Sequence, residues 1–129
     1  MVLSQRRRGP CRLLIVENDQ HLIDQLRRLF ASTPFECEVA RSLRTAEAIL
    51  AERRIDVIAV DATLESLPRG GVPVLIQGLK ARAPSMKVVI FNGITGKASQ
   101  RRLRRMGADG YLSKRCGLEA LERSARRLM

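Results

Sequence analysis

The sequence predicts an α/β protein: a single doubly wound sheet of five parallel strands flanked by five helices. Three observations carry this. Five short β-rich runs alternate with five stretches of helical period. The intervening loops are only a few residues long, as in βαβ units. The runs at 13–16 and 57–60 are apolar without interruption, as strands covered by helices on both faces should be.

Each element has its own signature. Residues 1–10, ending in Gly9-Pro10, read as a flexible basic leader, and residues 11–129 as one compact domain. The first strand is 12–16. The helix after it gathers Leu22, Leu26, Leu29 and Phe30 on one face. FECEVA at 35–40 is the second strand, and Ala46, Ile49 and Leu50 mark the second helix. IDVIAV at 55–60 is the third strand. Leu75, Ile76 and Leu79 mark the third helix, with Pro73 as its expected first residue. KVVIF at 87–91 is the fourth strand. An Arg-heavy helix over about 97–106 follows, its clear apolar positions being Leu103 and Met106, and Gly107 sits where a C-terminal cap belongs. GYLS at 110–113 is the fifth strand, and Leu118, Leu121, Ala125 and Leu128 form the narrow apolar stripe of a helix over 117–128.

Composition narrows the function. Aromatic residues make up 3% of the 129, so the core must be aliphatic. No apolar run approaches the ~20 residues of a membrane span, and no signal-peptide stretch opens the chain, so neither membrane insertion nor secretion is expected. Cys11, Cys37 and Cys116 lack metal-ligand spacing and read as small buried or bystander thiols of a reducing, cytoplasmic protein. The formal net charge of +11 is unevenly spread, with +3 in residues 1–10, +1 in 11–96 and +7 in 97–129. Such a skew fits an acidic partner or a nucleic acid, and equally an Arg-rich solvated surface.

The stretch CRLLIVENDQ, residues 11–20, runs from an apolar strand straight into Glu17, Asn18 and Asp19. The third strand likewise runs into Asp61, the fourth into Asn92-Gly93 and the fifth into Lys114. In an open α/β sheet, ligands bind beyond the carboxyl ends of the strands. Acids, an amide and a lysine converging there define a candidate site, whereas one polar strand end alone would only mark where the chain surfaces.

These residues carry a resemblance. LLIVEND, the apolar strand ending in Asp61, VVIFNG and above all GADGYLSK at 107–114 together resemble the receiver domain of two-component response regulators, over about residues 11–128. The resemblance implies a flavodoxin-like fold with strand order 2-1-3-4-5. It also implies a phosphoryl group passed from a histidine kinase or phosphotransfer protein to Asp61, with Mg²⁺ present. Asp61 matches the phosphoacceptor, a carboxylate nucleophile. Glu17 and Asn18 fall on the pair that holds the metal, and Thr63 on the position whose backbone carbonyl joins them. Lys114 matches the lysine that meets the phosphoryl oxygens, Asn92 the switch residue and Tyr111 the aromatic that moves with it. Magnesium takes oxygen ligands and keeps waters, and phosphoryl transfer depends mainly on positioning and charge neutralisation. The implied role is a phosphoacceptor signalling domain rather than a turnover enzyme.

Four departures from the family pattern bear on function. Asn18 replaces an acid, which removes one negative charge and implies weaker Mg²⁺ binding; Asp19 is a candidate to compensate. Asn92 lacks a hydroxyl, although its amide can donate to a phosphoryl oxygen. The segment ATLESLPRGG after Asp61 lacks the family's proline and carries Gly70-Gly71. Arg115 follows Lys114 where proline is common, and a non-proline cis bond costs about 3–4 kcal/mol, so a trans bond is expected.

In receivers the face of helix four, strand five and helix five is a frequent site of output and dimer contacts. Here it carries Arg101, Arg102, Arg104, Arg105, Arg123, Arg126 and Arg127, with only Asp109, Glu119 and Glu122 nearby. That composition predicts an acidic protein partner or output domain rather than symmetric self-pairing. Sequence-specific nucleic-acid binding is not expected, since no helix-turn-helix follows and aromatic surface is scarce. Two alternatives stand beside the phosphoacceptor reading: a pseudo-receiver that works by protein contact alone, and a small basic nucleic-acid-binding protein. His21 reads as a surface bystander.

Overall fold

The computed structural model describes residues 10–62, 67–92, 97–113 and 118–128, with backbone only at 92, 97–100, 112–113, 118–119 and 121. In chain order the elements are β1 (Arg12–Val16), α1 (Gln20–Ala31), β2 (Glu36–Ala40), α2 (Leu43–Glu52), β3 (Val57–Asp61), α3 (Val72–Arg82), β4 (Lys87–Asn92), α4 (Lys97–Arg105), β5 (Gly110–Ser113) and α5 (Leu118–Arg127). The five strands form one sheet in the order β2-β1-β3-β4-β5, and every neighbouring pair is parallel. Fold class and strand order are those expected from the sequence. Residues 1–9 of the expected leader at 1–10 lie outside the described residues.

Strand alternation sorts the core into two layers. Leu14, Val16, Ile58, Val60, Val88 and Ile90 face α2, α3 and α4, meeting Ala46, Leu75, Ile76, Leu79 and Leu103. Leu13, Ile15, Val57, Ala59, Val89 and Phe91 face α1 and α5, meeting Leu26, Phe30 and Ala125. Leu13 to Val16 and Val57 to Val60 are fully buried, because helices cover both sides of the central strands.

Local chemistry sets the helix ends. The Asp19 carboxylate caps α1 by accepting from the N–H groups of His21 (3.0 Å) and Leu22 (3.3 Å). Ser42 caps α2 by accepting from the Thr45 N–H at 3.1 Å. Helix α3 begins at Val72 behind Gly71, so Pro73 is its second residue rather than its first. Helix α4 ends in a paired closure: the Ala108 N–H donates to Leu103 at 3.1 Å and the Gly107 N–H to Arg104 at 3.0 Å. Gly107 adopts φ 105°, the left-handed conformation that this closure needs.

Some sequence expectations shift by a residue or two. Phe35 lies just before β2, where its ring packs edge-on to Phe30 at 5.6 Å. Ile55 and Asp56 precede β3, because Asp56 is held in the approach to the strand: its Oδ2 accepts from the Arg12 N–H at 2.9 Å. In α1 the buried face is Ile23, Leu26 and Phe30, with Leu22 and Leu29 half-buried beside it. In α2 it is Leu43 and Ala46, with Ile49 and Leu50 half-buried.

Candidate functional site at the strand ends

Glu17 and Asp61 are 1% and 2% exposed, the only buried carboxylates among the described residues. The ladder explains why they meet. Val16 pairs with Val60, so the next residue of each strand, Glu17 and Asp61, falls in the same row. Strand alternation places both on the same side of the sheet. The Glu17 N–H donates to Ala40 at 3.0 Å, so its backbone is held by β2 as well. Its Oε2 accepts from the N–H groups of Asn18 (3.0 Å) and Asp19 (3.2 Å). Asp61 pairs with Phe91 of β4, and the following Ala62 N–H donates to Phe91 at 2.9 Å.

Two buried carboxylates ending adjacent strands concentrate negative charge there, which a cation bound beside them would neutralise. The donors offered are oxygens alone, as a hard divalent ion prefers. Among the described residues no group of three or more His, Cys, Asp or Glu side chains could hold a metal. A cation held here would take oxygens of Glu17 and Asp61 and complete its shell with water or with amide and backbone oxygens. The residues present fit Mg²⁺ on that basis.

The remaining predicted positions divide three ways. Asn18 is exposed next to Glu17, and Asp19 is exposed with its Oδ1 committed to the cap of α1. Asn92 ends β4, paired with Ser113 of β5. Tyr111 is half-buried and packs against the core layer under α2, α3 and α4. Thr63, Lys114 and the peptide bond to Arg115 lie outside the described residues, as does Cys116.

Asp109, the acid of GADGYLSK, has a role that no sequence pattern signals. Its Oδ2 accepts from the Val88 N–H at 2.8 Å and from Lys80 Nζ at 2.5 Å, and Lys80 also donates to Met86 O at 3.2 Å. It ties α3 to the amino ends of β4 and β5, opposite the carboxylate pair. Lys80 is 29 residues away in sequence, and no local pattern links the two.

Cysteine chemistry is quiet. Cys11 is buried and Cys37 half-buried, both as thiols rather than disulfides. Burial pushes the Cys37 thiol up to about 11; the nearby Arg27 opposes this and Glu38 adds to it. It is therefore a poor nucleophile at neutral pH. No described helix is long and apolar enough to cross a membrane.

The chain matches the profile of the response regulator receiver domain over residues 13–126. Among curated proteins it is similar to the photosynthetic apparatus regulatory protein RegA of Rhodobacter capsulatus, 28% identical over 102 residues, covering 79% of this chain and 54% of that protein. RegA of Rhodovulum sulfidophilum is 29% identical over the same coverage. The chain thus spans about half the length of the curated relatives it matches. Its fold is similar to a Francisella response regulator receiver domain, with a TM-score of 0.80 at 19% identity over 92% of this chain and 95% of that one. It is also similar to a Burkholderia pseudomallei response regulator solved with a phosphorylated aspartic acid, a calcium ion and citrate, with a TM-score of 0.74 at 19% identity over 88% and 65%. An orphan response regulator of H. pylori aligns with a TM-score of 0.78 at 22% identity over 95% and 100%. With buried acids ending β1 and β3 of a β2-β1-β3-β4-β5 sheet, and a profile match over nearly its whole length, this chain belongs to the response regulator receiver domain family.

Proposed function

We propose that this domain accepts a phosphoryl group on Asp61 from a histidine kinase or phosphotransfer protein and reports it through the basic face around α4, β5 and α5. The observation that carries the reading is the buried row of Glu17 and Asp61 at the carboxyl ends of β1 and β3. A carboxylate oxygen of Asp61 attacks phosphorus, and the bond from phosphorus to the donor imidazole nitrogen breaks. The product is an acyl phosphate and a free imidazole. A Mg²⁺ ion held by Glu17, Asp61 and the Asn18 amide oxygen would supply the charge neutralisation that this approach requires. The family resemblance adds the Thr63 carbonyl to the metal and Lys114 to the phosphoryl oxygens, with Asn92 and Tyr111 as the responding pair. The Burkholderia protein, which shares the fold, was solved with a phosphorylated aspartate and a divalent cation together.

The output side rests on charge. Arg101, Arg102, Arg104 and Arg105 of α4 are exposed, and none forms an ion pair among the described residues. Arg123 and Arg127 of α5 are exposed too, while Arg126 is bound to Glu122 one turn earlier. Asp109 is already taken by Lys80. A second copy would bring the same sign to this face, whereas an acidic partner or output domain complements it.

Intact-mass spectrometry after incubation with acetyl phosphate tests the reading. A phosphate adduct that needs Mg²⁺ and vanishes in Asp61→Ala is the expected result. No adduct at high Mg²⁺ would overturn phosphoacceptance and leave a pseudo-receiver working by contact alone.

A further inference from the structure

Helix α3 carries more apolar surface than the sheet covers. Leu75, Ile76 and Leu79 are buried, yet Val74 is 42% exposed, the only exposed large apolar side chain among the described residues. Beside it, a cleft of about 500 Å³ opens between α2 and α3, floored by Leu43, Leu75 and Leu79. Gly78 keeps it open: a Cβ built there meets nothing within 4 Å. The volume lies within the ~300–1,000 Å³ usual for binding clefts.

The rim is basic. Arg82 reaches across to α2, with its Nη2 at 3.8 Å from Glu47 Oε2, so the one acid lining the cleft is already engaged. Arg44 also lines the cleft, and Arg69 adjoins its wall residue Pro68. Both are exposed, and neither forms an ion pair among the described residues. Gly70 packs closely on the same wall: a Cβ built on it would come within 2.4 Å of Val74 Cγ2.

We propose that this α2–α3 cleft docks a short amphipathic helix of an acidic protein partner, at a surface separate from the α4–α5 face. The apolar floor takes leucine-like anchors and the arginines meet flanking carboxylates. The cleft is lined by Leu43 to Glu47 of α2 and by Val74 to Arg82 of α3, the latter a span of about 12 Å, which matches anchors at i, i+4 and i+7. A second copy of this chain is a poor occupant, because each copy carries +11.

The test is an NMR titration of the whole chain with a synthetic acidic peptide bearing leucines at i, i+4 and i+7. A control peptide has the leucines replaced by alanine. Shifts at Val74, Gly78 and Leu79 with the leucine peptide, and much weaker binding of the control, are expected. Gly78→Phe projects a ring into the cleft from a position whose Cβ meets nothing within 4 Å and should weaken binding at least tenfold, with Gly78→Ala close to the parent. Arg44→Glu, on the exposed rim, should weaken it severalfold and serves as a second variant should the Phe variant fold poorly. Equal binding of both peptides, with shifts confined to Arg101 through Arg105, would mean charge-only contact at α4 and would overturn the proposal. So would an absence of shifts on α2 and α3. Self-association of the unliganded chain that Gly78→Phe abolishes would instead make a second copy the occupant.

Discussion

Asn18 follows the buried Glu17 and is itself exposed; in the proposed metal site an amide stands beside the two buried carboxylates where a third acid would face the cation. Ligand charge count tunes the affinity of oxygen sites for hard ions. Asn18→Asp should therefore tighten Mg²⁺ binding about tenfold by isothermal titration calorimetry. Asp19→Asn separates cap from ligand, since Asn caps a helix about as well as Asp. With Oδ1 already accepting from His21 and Leu22, the variant should keep its stability and bind Mg²⁺ within about twofold of the parent. A tenfold loss would make Asp19 a ligand. Cys37 makes a pH prediction. Its pKa is raised from 9.0 to about 11, so the folded thiol holds its proton where the unfolded chain has released it. Its contribution to stability is full below about 9 and lost as pH rises to about 11. Urea unfolding on either side of that window should show a steeper loss for the parent than for Cys37→Ala.

At the scale of elements, the caps are the most local determinants. Ser42→Ala removes the oxygen that accepts from the Thr45 N–H and should cost about 1 kcal/mol by denaturant unfolding, with no effect on Mg²⁺ binding. The central strands were legible in the sequence because burial on both faces forces an unbroken apolar run, and Glu17 and Asp61 were legible as polar residues ending such runs. The edge strand β2 was less so: Glu36 is exposed and Cys37, Glu38 and Val39 only half-buried, so its pattern carries weak information on where pairing begins. Helix faces drifted for a related reason. Ile23 lies at the centre of the buried face of α1, but leucines near it gave a similar periodicity. The tie between Lys80 and Asp109 was invisible because it joins elements that only the folded sheet brings together. The cleft beside Gly78 was invisible for the opposite reason, since a glycine in a helix announces no space above it.

At the scale of the whole molecule, six of the thirteen acids are engaged in ion pairs among the described residues. Glu36 pairs with Arg12, Glu38 with Arg53, Glu47 with Arg82, Asp56 with Arg54, Asp109 with Lys80 and Glu122 with Arg126. The excess arginine therefore projects as an unspecific positive field. Retention on a polyanion column should be salt-sensitive, end at modest salt and show no sequence preference. Reversing Arg101 and Arg104 should lower the slope of log affinity against log salt by about 1 for each phosphate left without its arginine. A strong preference for one nucleic-acid sequence would refute this. The strand order has a further consequence, in time rather than space. β1 sits between β2 and β3, so the half-sheet β2-β1-β3 and both buried carboxylates come from residues 12–61. Chains leave the ribosome amino end first, at roughly 5–20 residues per second, and begin to fold as they emerge. The acidic row at the strand ends is therefore synthesised, and able to pair, seconds before the arginine-rich α4 and α5 are made. Residues 1–61 carry ten basic and nine acidic groups, so the nascent half-sheet is close to neutral and most of the positive charge arrives only with the last third of the chain.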